Sequence, residues 1–250
     1  MQKKIDENKY FFDDKKNLYF YRPKKPDDMN CIYQNINELR SQIPSHIKVV
    51  AVSKTKTVPE IREAIEAGQV CFGENKVQEL TQKQEHIPEA QWHLIGHLQT
   101  SKVKYIAPFV QMIQSVDSLR VLEEIDRQAG KYNRIIDCLL QIHIAREETK
   151  FGFSEQEILE LLNVSAFQLM KHVRICGLMG VATFTDDMDT VRREFRGLAN
   201  FSQRIRREFF SENPAFCELS MGMSDDYQIA IEEGATMLRI GSLIFGKRIY

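Results

Sequence analysis

The chain has 250 residues, of which 43% are hydrophobic and 28% charged, and its formal net charge at pH 7 is -1. This composition is typical of a globular protein with room for one α/β barrel or two small domains. The small net charge argues against a chain-wide basic surface for nucleic acid, and no apolar run approaches the ~20 residues of a membrane span. We therefore expect neither a nucleic-acid partner nor a membrane partner.

The first 28 residues differ from the rest, because they mix lysine, aspartate and aromatic residues without a helical or strand period. They lack the apolar segment of a signal peptide and are too acidic for a transit peptide. We expect residues 1–28 to be a disordered or loosely docked extension, or to precede a native start at Met29. Residues 29–250 are predicted to form the folded domain.

From residue 29 onward, amphipathic segments alternate with short apolar runs. The predicted helices cover 29–43, 58–68, 76–87, 119–131, 154–163, 187–210 and 225–234, and the predicted strands cover 47–54, 70–75, 91–98, 110–118, 136–145, 173–183, 216–224 and 237–246. Near-continuous apolar strands indicate a sheet buried on both faces. Eight such units predict an α/β fold, a single (β/α)8 TIM barrel. A doubly wound open sheet is the alternative, weakened because no GxGxxG motif follows the first strand.

Local signals mark several helix ends. Pro59 suits a first helical turn, and Gly68 suits the position after a helix end. Ser154 and Glu157 have the spacing of a capping box.

Five cysteines are scattered at positions 31, 71, 138, 176 and 217, with no CxxC pair. We interpret them as reduced thiols, four of them in or beside the core, which predicts a cytoplasmic protein without a zinc site.

Polar residues collect at the predicted strand ends, where a barrel of this kind carries its chemistry. The last two strands each end in a glycine followed by a hydroxyl, in the segments Gly222-Met223-Ser224 and Gly241-Ser242. Glycine lets the backbone approach an anion, and a helix start after Ser224 would favour negative charge. These two loops together predict a phosphate site.

Arg239 lies in the eighth predicted strand, on the same face as Gly241. If that face is inward, a guanidinium enters the barrel and needs a polar partner, for which Glu218 is a candidate. Pairing with a carboxylate of a neighbouring strand is the purely structural alternative.

Lys54 follows the apolar run of the first predicted strand. A partly desolvated lysine amine is a nucleophile toward aldehydes. Together with a phosphate site and an arginine, it predicts a phosphorylated aldehyde held as a Schiff base, and pyridoxal 5'-phosphate (PLP) is the candidate cofactor. Lys56 is the alternative amine, but its neighbours place it in the loop.

Six segments, VAVSKT, FGENKVQE, WHLIG, GLMG, LSMGMSDD and RIGSLIFG, resemble the pyridoxal phosphate homeostasis protein family in order over about residues 30–250. The resemblance implies a fold-type III PLP-binding barrel, like the N-terminal domain of alanine racemase. It implies that Lys54 carries the Schiff base, that Arg239 faces the pyridine nitrogen, and that Asn75 and His93 line the ring. The implied phosphate ligands are Ser220, Gly222, Met223, Ser224, Gly241 and Ser242. His97, Ser101 and Ser242 depart from residues common among relatives, which affects fine contacts only.

Two classes of function compete. Racemisation needs a second acid/base group, and the segment up to Tyr250 contains no second domain that would supply it. A cation beside the pyridine nitrogen also makes the ring a poorer electron sink, although racemases of this fold tolerate it. We therefore expect a monomeric PLP-binding homeostasis protein without catalytic turnover, which buffers PLP or delivers it to PLP-dependent apoenzymes. A racemase-like enzyme is the alternative, and an aldolase without cofactor leaves Arg239 unexplained.

Arg146 and Lys150 could bind a second phosphorylated molecule, although two solvated loop cations are the simpler interpretation.

Overall fold

Eight parallel strands close into a barrel in the computed structural model, which describes residues 10–12, 18–20, 31–147 and 151–246. The barrel strands are β3 Lys48–Val52, β4 Cys71–Glu74, β5 Gln91–Leu94, β6 Met112–Val116, β7 Ile136–Ile142, β8 Val173–Gly180, β9 Glu218–Ser220 and β10 Met237–Ile240. β10 pairs with both β9 and β3, which closes the ring. The predicted TIM barrel is confirmed.

Helices connect the strands on the outside. They are α1 Cys31–Gln42, α2 Val58–Glu66, α3 Val77–His86, α4 Val103–Ile106, α5 Leu119–Lys131, α6 Glu155–Asn163, α7 Ser165–Gln168, α8 Met188–Phe209, α9 Tyr227–Glu232 and α10 Ser242–Phe245, with a 3₁₀ helix at Thr100–Lys102. No helix in the described ranges is long and apolar enough to cross a bilayer.

The predicted helix-end signals are confirmed. Ser154 and Glu157 form a reciprocal capping box at the start of α6. Pro59 lies in the first turn of α2, and Gly68 follows that helix with φ +83°. These signals need only neighbouring residues, so they hold wherever the element lies in the fold.

All eight strands end earlier than predicted, and two of these differences bear on the site. The eighth predicted strand, which is β10, was expected to continue to residue 246. It ends at Ile240, and residues 242–245 form α10. The first strand ends at Val52, so Lys54 lies in the turn beyond it. The apolar residues Leu243, Ile244 and Phe245 made α10 resemble a strand, because short apolar runs do not distinguish helix from strand. The connection between β5 and β6 also contains α4, which was not predicted.

The core has two parts. The larger lies between the strands and the helices and includes Phe72, Trp92 and Phe195. The smaller fills the barrel interior and includes Val50, Met112, Leu139, Cys176, Met179 and Met237. Since side chains alternate along a strand, Val50 identifies the inward face of β3.

The cysteine prediction is partly wrong. Cys138 and Cys176 are buried and Cys71 is half-buried, but Cys217 is exposed, because it precedes β9 rather than lying within it. Within the described residues, no three histidine, cysteine or acidic side chains are arranged to hold a metal ion.

The N-terminal extension contains two strands that were not predicted. Tyr10–Phe12 (β1) pairs antiparallel with Leu18–Phe20 (β2). Aromatic residues favour strands, which accounts for the pairing. The rest of residues 1–28 lies outside the described residues, as does Lys150.

Candidate functional site

The predicted site residues collect at one end of the barrel because parallel strands of a closed barrel all end on the same side. Lys54 follows β3, Asn75 follows β4, Ser224 follows β9, and Gly241 follows β10. His93, Ser220 and Arg239 lie within strands, deeper in the barrel. The structure therefore divides the predicted residues into an upper group in the loops and a lower group in the interior.

Lys54 lies in a tight turn at the end of β3. Its side chain is half-buried. The next residue, Thr55, has φ +67°, a left-handed backbone that is rare for a β-branched residue. The Thr55 amide donates to Oε1 of Glu79 at 2.6 Å.

A group of charges, here called the Lys83 cluster (Glu74, Glu79 and Lys83), lies behind this turn, with Glu74 and Lys83 buried and Glu79 partly exposed. The Lys83 ammonium contacts Oε1 of Glu74 at 2.7 Å and Oε1 of Glu79 at 2.6 Å. It also donates to the carbonyl oxygen of Ser53 at 2.7 Å. The Ser53 hydroxyl donates to Glu74 at 2.6 Å, and burial raises the pKa of the Glu74 carboxyl. The cluster was not predicted from the sequence, although Glu79 and Lys83 have the helical spacing of an ion pair.

A series of hydrogen bonds, here called the interior chain (Arg239, Ser220, Gln114 and His93), crosses the barrel interior below the turn. Arg239 donates through Nη1 to the Ser220 hydroxyl at 2.6 Å, and through Nη2 to the Gly180 carbonyl at 2.8 Å. Ser220 donates to Oε1 of Gln114 at 2.7 Å. The Gln114 amide nitrogen lies 2.9 Å from Nδ1 of His93. Because an amide nitrogen can only donate, Nδ1 of His93 accepts and carries no proton.

Arg239 does not pair with Glu218, the carboxylate proposed from the sequence. Glu218 instead forms an ion pair with Lys48 at the opposite end of the barrel. Arg239 is buried with neutral partners, and this burial lowers its pKa to about 10, partly opposed by Asp226. The Ser220 hydroxyl is fully buried in two hydrogen bonds, so the structure places it with Arg239 and apart from the loop hydroxyls.

Burial also keeps His93 neutral. Desolvation, with a smaller contribution from Lys48, lowers its pKa from 6.5 to about 4. Between these values the unfolded chain binds a proton that the folded protein does not, so stability decreases as the pH falls from about 6.5 to 4. We expect this histidine to cost roughly 3 kcal/mol of folding stability at the acid end.

Urea unfolding of the wild type and His93→Gln at several pH values tests this expectation. The variant should lose less stability on acidification than the wild type, because glutamine does not titrate. Parallel pH profiles of the two proteins would contradict it.

The two glycine loops lie side by side, as predicted. The Ser224 hydroxyl is 3.3 Å from the amide nitrogen of Gly241. Gly222 has φ +90°, and a Cβ there would lie 2.5 Å from Cβ of Ala230, so only glycine fits. The Met223 amide donates to Asp226, and a turn precedes α9, which begins at Tyr227 rather than directly after Ser224. The loops thus present backbone and hydroxyl groups of the kind that bind phosphate.

Asn75 lies beside this end of the barrel with an unfilled acceptor. Its side-chain oxygen is buried and has no hydrogen-bond partner in the described part of the chain. Gly96 packs against it so closely that a Cβ would lie 2.4 Å from the Asn75 carbonyl oxygen. An orphaned acceptor of this kind fits a residue that contacts a bound ligand.

Neighbouring loops hold two further polar groups. His97 pairs with Asp117 at 2.7 Å and stacks on Phe151 with ring centroids 3.8 Å apart. Arg146 is exposed, and it contacts Thr183 and Thr190 through its backbone and side chain.

Residues 28–248 match the family described as "Alanine racemase, N-terminal domain". The chain is also 39% identical over 205 residues to the pyridoxal phosphate homeostasis protein of Aquifex aeolicus (strain VF5), covering 81% of this chain and 88% of that protein. The chain belongs to the pyridoxal phosphate homeostasis protein family. The resemblance of the six sequence segments is therefore confirmed.

Solved structures support the same membership. PipY of Synechococcus elongatus PCC7942, solved with PLP bound, superposes with a TM-score of 0.76 and 34% identity, covering 86% of this chain and 100% of PipY. Alanine racemase of Clostridium difficile 630 superposes with a TM-score of 0.67 and 14% identity, covering 88% of this chain and 57% of the racemase. The homeostasis family and the racemases therefore share the barrel fold. The likeness to the racemase concerns the fold alone.

Proposed function

We propose that this protein binds PLP reversibly as a Schiff base on Lys54 and serves its homeostasis by buffering and delivery. The observation that carries the proposal is the placement of a half-buried lysine, Lys54, directly after β3, at the same barrel end as the glycine loops and Asn75. Support also comes from the PLP-bound structure of PipY, a family relative.

The residues of the site fit the two reactive parts of the group. PLP supplies an aldehyde carbon and a phosphate monoester. Lys54 would hold the group through its amine, and the aldehyde would supply an electrophilic carbon for condensation with that amine, with release of one water. Hydrolysis would restore the lysine amine. Binding is therefore covalent but reversible.

The loops after β9 and β10 would hold the phosphate. Backbone amides and the hydroxyls of Ser224 and Ser242 are the donors that we assign to it, with Gly222 and Gly241 allowing close approach and Met223 between them. We assign Ser220 to Arg239, because its hydroxyl is buried in the interior chain. His93 supports this chain from its other end.

Arg239 would face the pyridine nitrogen. The interior chain fixes its guanidinium through neutral acceptors, so its positive charge is available toward the ring. A cation there disfavours protonation of the ring nitrogen, which weakens carbanion stabilisation. This charge favours a carrier without turnover over a racemase-like enzyme. We expect a cytoplasmic monomer whose partners are PLP-dependent apoenzymes.

Absorbance spectra of the purified protein with added PLP test the proposal. We expect a band near ~420 nm that borohydride reduces, with the label on the peptide containing Lys54. Lys54→Ala should lose the band. Lys56→Ala is the matched control and should retain it, because the Lys56 amine is held by the Phe245 carbonyl at 3.1 Å.

The absence of a band in the wild type, or its persistence in Lys54→Ala, would overturn the assignment. Incorporation of solvent deuterium at the α-carbon of alanine would instead support the racemase alternative. Transfer of PLP to an apoenzyme, followed by recovery of that enzyme's activity, tests delivery.

A further inference from the structure

Both neighbours of Lys54 are held by the Lys83 cluster. On one side, the Ser53 carbonyl accepts from Lys83, and the Ser53 hydroxyl donates to Glu74. On the other side, the Thr55 amide donates to Glu79. The turn that carries Lys54 is therefore fixed at both ends by side chains of the following strand and helix.

The cluster is built for rigidity. Glu74 and Ser53 are 0% exposed, and Lys83 is 6% exposed. One oxygen of Glu79 accepts both the Thr55 amide and the Lys83 ammonium. Charge-assisted hydrogen bonds of this kind are stronger than neutral ones. The position of Glu79 is thus set by Lys83, and the position of the Thr55 amide is set by Glu79.

Thr55 needs such a hold because its backbone is left-handed. For a β-branched residue this conformation is unfavourable, since its Cβ crowds the backbone. Strained backbone persists only where the surroundings enforce it, and it concentrates at functional sites. If the Glu79 contact is lost, Thr55 can relax toward the extended region, and the peptide that follows Lys54 rotates.

We infer that Glu79, held by Lys83, is a positioning residue that keeps Thr55 left-handed and so directs the Lys54 amine into the barrel. The inference rests on the proposed function, since it concerns how Lys54 is presented to an aldehyde. It adds a residue that acts through the Thr55 backbone.

Glu79→Ala is the direct test, because it removes the acceptor of Thr55 and leaves the Glu74–Lys83 pair in place. We expect PLP to bind about tenfold more weakly, the factor that corresponds to a left-handed strain of ~1–2 kcal/mol. Glu85→Ala, at an exposed position on the same helix, is the matched control and should bind like the wild type.

A second variant separates positioning from a general structural role. Thr55→Gly removes the penalty of the left-handed backbone, so Glu79→Ala combined with Thr55→Gly should recover most of the lost affinity. Amide hydrogen exchange of residues 52–57 in the cofactor-free protein provides a second readout. Exchange there should be faster in Glu79→Ala than in Glu85→Ala.

The outcomes distinguish the two proposals. If the wild type forms no Schiff base, the proposed function fails, and this inference fails with it. If the wild type binds PLP but Glu79→Ala binds equally tightly, only the inference is overturned. Weaker binding that Thr55→Gly does not restore would also overturn it, because the effect would not pass through the Thr55 backbone.

Discussion

Lys83→Met is expected to lower the free energy of unfolding by about 3–5 kcal/mol at neutral pH. The substitution removes the ammonium that pairs with Glu74 and leaves a carboxylate that is fully buried. Methionine matches the length of the lysine stem, so the loss reflects the uncompensated charge rather than a cavity. Urea unfolding followed by circular dichroism measures the change.

The pH dependence identifies the cause. Burial already raises the pKa of Glu74, and loss of Lys83 removes two contributions that lower it. A carboxyl whose folded pKa is raised contributes stability at low pH that is lost as the pH rises. The difference in the free energy of unfolding between Lys83→Met and the wild type should therefore shrink toward acid pH.

Two further variants test the same explanation. Adding Glu74→Gln to Lys83→Met should restore much of the stability. Lys131→Met, at an exposed helix end, should cost less than about 1 kcal/mol.

A loss that is independent of pH and persists with Glu74→Gln would contradict this explanation. It would indicate that packing of the lysine stem, and not the buried ion pair, stabilises the turn before Lys54.

Gly222→Ala is expected to destabilise the protein by roughly 2–5 kcal/mol, from left-handed strain and from overpacking. The new Cβ would lie 2.5 Å from Cβ of Ala230 and 2.9 Å from Cδ2 of Leu238. Both neighbours are fully buried and have little room to move. Because Gly222 begins the loop of Met223 and Ser224, the same shift should weaken PLP binding. Thermal unfolding and absorbance titration measure the two effects.

Gly197→Ala is the matched control, since Gly197 lies within α8 with no heavy atom within 4 Å of an added Cβ. There alanine should stabilise the protein by about 0.5–1 kcal/mol, because glycine has the larger backbone entropy to lose in a helix. Equal effects of the two substitutions would show that the close contacts around Gly222 relax.

The strand and helix order could be predicted because it depends on local pattern. The apolar run before Lys54 and the capping box at Ser154 each involve residues a few positions apart. The Gly–hydroxyl pairs after the last two strands could be predicted for the same reason. Strand ends were predicted too far along the chain, since a short apolar run such as residues 242–245 suits either a strand or a helix.

The partners of the interior residues could not be predicted in this way. Ser220 and Gln114 are 106 positions apart, and their hydrogen bond exists only because the barrel closes. Glu218 pairs with Lys48 and not with Arg239 because of the positions of these residues along the barrel axis. A strand pattern does not specify those positions. Similarly, Thr55 meets Glu79 only after α3 packs against the barrel.

The sequence by itself thus determined the barrel, the position of Lys54 at a strand end and the two glycine loops, because periodicity and backbone requirements act over short distances. The tertiary structure decided which charges are buried together. It placed the Lys83 cluster behind the turn of Lys54 and gave Arg239 neutral partners, because those contacts depend on the register and closure of eight strands.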